Sequence, residues 1–190
     1  AGGFADRTTS FGVLQGASFG LDSLEYRKPR SFAQIPTVYF GHPEWDNEFS
    51  GFAADFRPTV DPLETWKLEV YGKPREPMTL LFNGISEIPA QLKVYLIDQL
   101  RAHFLDLRTN ANYKFNLPTG NAEFKIVVGT EEAVREVLDS VLPKEFSLGN
   151  NFPNPFNPTT TIPIALPQNA EISLKIYTVL GEEVRSIYSG

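Results

Sequence analysis

The fold class is decided by the stretch WKLEVY, residues 66–71. Trp66, Leu68 and Val70 take every second position, so an extended chain places them on one face and the residues between them on the other. The same two-residue period recurs at residues 113–117 and 124–128. Apolar segments at 37–40, 52–56, 78–82 and 92–98 read as further strands.

Turn signals separate these segments. The sequences GHPEWDN, RPTVDP, GKPREP, RTNAN and PTGN are rich in the residues that favour tight turns. Strands that follow one another without intervening helices are typical of an antiparallel sandwich or barrel rather than of parallel β-α-β units. Residues 1–129 are therefore predicted to be all-β.

One segment follows a different period. In residues 130–142 the apolar side chains fall at helical spacing, with Thr130 as a suitable N-cap and Pro143 as a stop. We interpret residues 130–145 as a helical connector between two modules. The alternative is a helix that covers the core of the first domain.

The bulk composition limits the classes of partner. The chain has 190 residues, 17 Lys and Arg against 23 Asp and Glu, a net charge of −6, and no cysteine. Nucleic acids and anionic lipids need clustered positive charge, so neither is an expected partner. No apolar run reaches the ~20 residues of a membrane span. The N-terminus lacks the features of a secretion signal, which we expect to be removed or to lie outside this chain.

The last 45 residues, 146–190, differ in character from the rest. They contain FPNPFNP at 152–158, and each proline there fixes φ and removes a backbone donor. Residues 160–166, 172–176 and 184–188 then alternate as three strands, with a tight turn at 180–182.

This tail resembles the C-terminal sorting module of the type IX secretion system, an immunoglobulin-like fold related to one in flagellar hook-cap proteins. The matching string is Leu148, Asn151, Phe152, Pro153, Asn154, Pro155, Phe156, Asn157 and Pro158. Thr160 and Ile162 follow it, and then the strand EISLKIYTVLGEEV with Ile176–Tyr177 and Gly181 at the positions of the family's hairpin. The resemblance implies export across the outer membrane, followed by cleavage of the module or anchoring at the cell surface.

The tail is shorter than the fold it resembles. An immunoglobulin-like sandwich has about 7 strands and ~100 residues. Three strands leave apolar faces open, at Ile162, Ile164, Ile172, Leu174 and Ile176, and they leave strand edges unpaired. Either the rest of the fold lies outside this chain, or another copy completes it by strand addition and so builds oligomers or filaments.

The first domain carries a second resemblance. Phe11–Gly12, the aromatic strand at 38–40, the Trp66 strand and the strand at 124–129 follow one another as in the β-sandwich that often precedes the sorting module. The predicted fold class is therefore all-β: an antiparallel, immunoglobulin-like sandwich at 1–129, a connector at 130–145 and a partial second immunoglobulin-like sandwich at 146–190.

Catalytic and metal-binding residues are hard to assemble from this sequence. His42 and His103 are 61 positions apart, and no nucleophile, zinc or phosphate-loop motif is present. A turn with several oxygen donors can hold calcium, but the spacing of Asp46, Asn47, Glu48 and Asp55 fits no known loop and favours turn formation. We therefore predict a protein that is not an enzyme and has no catalytic, cofactor or metal site.

Aromatic residues flank the turn at 41–51. A platform of Tyr39 and Trp45, with Phe49 and Phe52 nearby, is a candidate for stacking on sugar rings. The alternative places Phe49 and Phe52 in the core and Trp45 over a sheet edge.

The sequence thus predicts an exported structural or adhesive module, extracellular or on the surface of a Gram-negative-type bacterium. Its expected partners are the outer-membrane secretion machinery and other copies of the chain. The alternative is a carbohydrate-binding accessory region of a larger secreted hydrolase.

Overall fold

A computed structural model of the chain describes residues 5–29, 35–46, 48, 51–117, 119–151, 154–168 and 170–190. The chain divides into a first unit, Ala1–Val141, and a second unit, Leu142–Gly190.

The first unit holds ten strands in its described part. They are β1 Ser10–Val13, β2 Thr37–Gly41, β3 Gly51–Phe52, β4 Ala54–Arg57, β5 Leu63–Tyr71, β6 Pro77–Leu81, β7 Lys93–Asp98, β8 His103–Asp106, β9 Asn112–Asn116 and β10 Asn121–Gly129. A single turn of 3₁₀ helix covers Ile85–Glu87, and helix α1 spans Glu131–Val141.

Six of these strands form one antiparallel sheet in the order β3-β2-β5-β10-β7-β8. Its register places Ile126 of β10 between Trp66 of β5 and Leu96 of β7. The alternation seen in the sequence thus becomes a continuous apolar row across the three central strands. Two further pairs, parallel β1–β4 and antiparallel β6–β9, supply the facing layer.

The main core lies between these layers. Side chains from the six-stranded sheet pack there with Leu80 of β6, with Tyr113 and Phe115 of β9, and with Phe11 of β1. Trp66 is 1% exposed, and its indole N–H donates to the backbone oxygen of Asp55 at 2.9 Å. The first unit is therefore a sandwich-like, mostly antiparallel β fold, and the predicted all-β class is confirmed.

The opposite face of the six-stranded sheet is covered in part by helix α1. Val134 of the helix packs with Ile97 of β7 and Val127 of β10. The hydroxyl oxygen of Thr130 accepts the Ala133 N–H at 3.4 Å, as expected of an N-cap.

The helix therefore belongs to the first unit. Residues 130–145 were predicted to connect two modules, whereas α1 packs on the sheet and the unit boundary follows Val141. The physical reason is the apolar stripe of α1, which finds a matching apolar surface on its own sheet. Strand β1 was also not predicted, because its residues, SFGV, are too few to show a period.

The second unit is built from two short antiparallel pairs. Its described strands are β11 Ser147–Leu148, β12 Ile164–Ala165, β13 Ser173–Tyr177 and β14 Glu183–Ser189, paired as β11–β12 and β13–β14. The predicted turn between the last two strands is present, with Gly181 at a φ of 86°. No described residue of 142–190 is buried.

No helix in the described residues has the length and apolar character that crossing a membrane would require.

Candidate functional site

The described part of the proline-asparagine string, residues 154–158, lies in an exposed loop near the start of the second unit. The side-chain amide of Asn151 donates to the Thr160 hydroxyl at 3.2 Å, which ties the two ends of the loop together. Between them, residues 154–158 are exposed, and Phe156 shows 54% of its surface to solvent. Phe152 and Pro153, two members of the predicted sorting motif, lie outside the described residues. An aromatic side chain held outward on a proline-stiffened loop is available to a partner.

An open apolar groove lies beside the strands of the same unit. It has a volume of about 340 Å³ and separates the pair β11–β12 from the pair β13–β14. Its apolar lining is Phe146, Leu148, Ile164, Leu166, Ile172 and Leu174. In a closed sandwich such side chains would be core residues.

The exposed apolar residues of the second unit match the predicted open faces in part. Of the five predicted residues, Ile164 and Ile176 are 38% and 42% exposed, and Ile162, Ile172 and Leu174 are half-buried. Every residue of β14 is exposed. Among the residues that the structure describes, each pair has two strands, so each of these strands has one edge without a partner in its sheet.

The predicted aromatic platform is not formed as proposed. Tyr39 has no exposed surface, and its ring stacks on Tyr71 with centroids 5.3 Å apart. Phe52 is equally buried, and Phe49 lies outside the described residues. Trp45 is half-buried, so of the two platform residues only Trp45 is available to a sugar ring.

Trp45 covers a buried charged cluster that the sequence did not reveal. Its ring stacks on His42 at 3.5 Å, with 4° between the planes. His42 Nε2 lies 2.7 Å from Asp55 Oδ2, and Nδ1 lies 2.6 Å from Glu44 Oε1. Each ring nitrogen of His42 therefore faces a carboxylate oxygen.

Asp55 lies at the centre of this cluster. It is completely buried, and its Oδ2 also accepts a hydrogen bond from Arg57 Nη2 at 2.9 Å. Arg57 Nε lies 2.8 Å from Oδ1, in an ion-pair contact whose angle does not make a second hydrogen bond. The cluster joins the turn after β2 to strand β4, so its first role is to fix that turn.

Glu44 closes the cluster on its solvent side. Partial burial acts to raise the pKa of Glu44, but the hydrogen bond with His42, a backbone hydrogen bond and the electrostatic attraction of His42 and Arg57 together outweigh it, and the pKa lies below its ordinary value. A lowered carboxyl pKa stabilises the fold at pH values above the ordinary pKa of glutamate, and this contribution is lost as the pH falls from there through the lowered pKa of Glu44.

Two of the four residues considered as calcium ligands, Asp46 and Asp55, have other partners. Asp46 Oδ2 accepts from Arg27 at 2.8 Å, and Asp46 Oδ1 accepts the Glu48 N–H at 3.0 Å, which is the geometry of a turn. Asn47 lies outside the described residues, and Asp55 is enclosed by His42 and Arg57. Within the described residues, no group of three or more His, Asp or Glu side chains is arranged to hold a metal ion.

Comparisons of the chain with protein-family models, with curated proteins and with solved structures find no match.

Proposed function

We propose that the chain is an exported, non-enzymatic surface module whose second unit serves as a type IX-type sorting and attachment region. The observation that carries the proposal is the combination, within the described residues of 142–190, of the exposed loop at 154–158 with an apolar groove and with no buried residue. A region that holds apolar side chains near water is suited to contacts with other proteins. In this proposal the secretion machinery of the outer membrane recognises and binds the exposed loop.

The export part is tested with the full chain carrying a reporter, in a bacterium that has a type IX system. We expect Phe156→Ala to lower the amount of reporter at the cell surface by about tenfold, the effect of ~1.4 kcal/mol of lost recognition. Protease accessibility of the reporter on intact cells measures this amount.

Phe19→Ala is the matched control, because Phe19 in the first unit has the same 54% exposure. It should leave surface display unchanged. Equal display of the parent chain in a strain that lacks the secretion system would refute the export role.

The same unit also supports assembly between copies. A second copy is a natural source of the missing strands, because β14 is a fully exposed edge strand with apolar side chains at Val184, Ile187 and Tyr188. Head-to-tail addition of a strand leaves each new copy with the same open groove, and so produces filaments.

Ile187→Lys tests the assembly. Ile187 is 48% exposed, so a lysine there is tolerated in the monomer, but it places a charge on the edge that a second copy would use. We expect the parent chain to sediment as larger species as its concentration rises, and the variant to stay monomeric. Val13→Lys, at a position that is 51% exposed in β1, is the control and should assemble as the parent does. A parent chain that is monomeric throughout a titration into the millimolar range would refute assembly.

A further inference from the structure

A second groove lies in the first unit, where β8 of the six-stranded sheet approaches β9 of the facing layer. Its volume is about 650 Å³, within the range of ~300–1,000 Å³ of small-molecule sites. Leu81 and Leu105 give it an apolar wall, and Leu81 is 66% exposed.

The side chains of Thr79, Lys114 and His103 lie beside this wall and have no hydrogen-bond or ion-pair partner among the described residues. In the described part of the chain, the side chains of Thr79 and Lys114 form no hydrogen bond or ion pair, although the two residues are opposite each other in the β6–β9 register. The next pair in the register, Leu81 with Asn112, places an amide beside the apolar wall. His103 completes the rim, and both of its ring nitrogens are likewise without a partner.

The groove is held in shape by buried contacts behind it. The Tyr113 hydroxyl donates to Asp98 at 2.9 Å, and the His103 ring stacks on Tyr113 with centroids 5.6 Å apart. Burial and the hydrogen bond to Asp98 raise the pKa of Tyr113 to about 12, so this donor stays neutral in the physiological range. The Asn110 side chain accepts the Asn112 N–H at 3.0 Å and so orders the loop that leads into β9.

The charge of the lining differs from that of the chain. The chain carries a net charge of −6, whereas the residues that line the groove include Lys114 and no carboxylate. A ligand that is complementary to the groove has one anionic group to pair with Lys114 and hydroxyls to bond to Asn112 and Thr79. It also has an apolar C–H face to pack on Leu81 and Leu105.

We infer that this groove is a binding site for an acidic sugar, a hexuronate unit of an anionic polysaccharide. The sugar carboxylate pairs with Lys114, its hydroxyls bond to Asn112 and Thr79, and its apolar face packs on Leu81 and Leu105. The site does not depend on the sorting role of the second unit, and it differs from the Tyr39 and Trp45 platform.

The test is a titration of the ¹⁵N-labelled full chain with trigalacturonate, followed by amide chemical shifts. We expect saturable shifts at residues 79–81, 103–105 and 110–114. Lys114→Ala should weaken binding about tenfold, the effect of one lost charge-assisted contact of ~1.4 kcal/mol. Added salt should weaken the binding of the parent chain as well, because it screens an exposed charge pair.

Two controls separate this site from unspecific attraction. Lys144→Ala removes the same charge from an exposed position of the second unit and should leave the affinity unchanged. Maltotriose, a neutral sugar, should bind much more weakly. Equal binding of the neutral sugar, shifts that map elsewhere, an unchanged affinity of Lys114→Ala, or no shifts at millimolar trigalacturonate would each overturn the inference. None of these outcomes bears on export, which the surface-display experiment measures independently.

Discussion

Asp55→Asn should lower the free energy of unfolding by about 3–5 kcal/mol, the loss typical of breaking a buried ion pair. The substitution keeps the shape of the side chain but removes its charge. Arg57, which is enclosed with it, then loses the charge that balances its own, and the buried His42 ring loses a carboxylate partner. Urea denaturation followed by tryptophan fluorescence measures the change, because the Trp66 indole donates to the Asp55 backbone.

Asp46→Asn is the control for this substitution. Asp46 pairs with Arg27, whose side chain is 59% exposed, so the pair is worth only ~0–1 kcal/mol. If Asp55→Asn cost as little as Asp46→Asn, the buried cluster would not be the clamp that fixes the turn after β2. An unchanged slope against urea concentration would show that the effect is on stability and not on the compactness of either state.

Gly129→Ala should destabilise the first unit by about 2–3 kcal/mol, as overpacking of a tight site does. A Cβ atom on Gly129 would lie 2.7 Å from the Pro62 oxygen, 2.8 Å from Leu63 Cδ1 and 3.1 Å from Leu63 Cα. Two of these atoms are backbone, and the Pro62 oxygen is already held by the Thr130 N–H at 2.9 Å. The strand therefore has no room to move aside. Thermal unfolding followed by circular dichroism measures the loss.

Gly20→Ala gives the opposite expectation. A Cβ atom there meets no heavy atom within 4 Å, so the substitution reduces the entropy of the unfolded chain at no steric cost. It should leave the stability unchanged or raise it by a few tenths of a kcal/mol, up to ~1. A Gly129→Ala variant as stable as Gly20→Ala would show that the end of β10 is looser than its contacts indicate.

The strands were predictable because their signal is local. Trp66, Leu68 and Val70 repeat every second residue, and the structure places all three in the main core. The helix was predictable for the same reason, since Val134, Val137 and Leu138 recur at helical spacing. The position of the helix could not be predicted, because the apolar surface on which it packs is formed by β7 and β10, which are separated in the sequence.

The sites could not be predicted from the sequence, because each depends on contacts between residues that are far apart along the chain. His42 and Asp55 were noted separately, yet nothing in the sequence shows that a turn and a strand bring them to 2.7 Å. Tyr39 was read as a platform residue because it precedes a turn, but the sheet register places it against Tyr71. The groove at Lys114 combines two layers, so no single stretch of sequence carries its signal.

The contact between α1 and the sheet has a practical consequence for dissecting the protein. A truncated chain that ends at Gly129, where the strand pattern ends, would lack Val134 and the rest of α1. Ile97 and Val127 would then be exposed to solvent, as an apolar surface that promotes aggregation. A stop codon after Val141 keeps that covering in place. Expression trials of the first unit should therefore yield soluble protein from the version that ends at Val141 and inclusion bodies from the version that ends at Gly129.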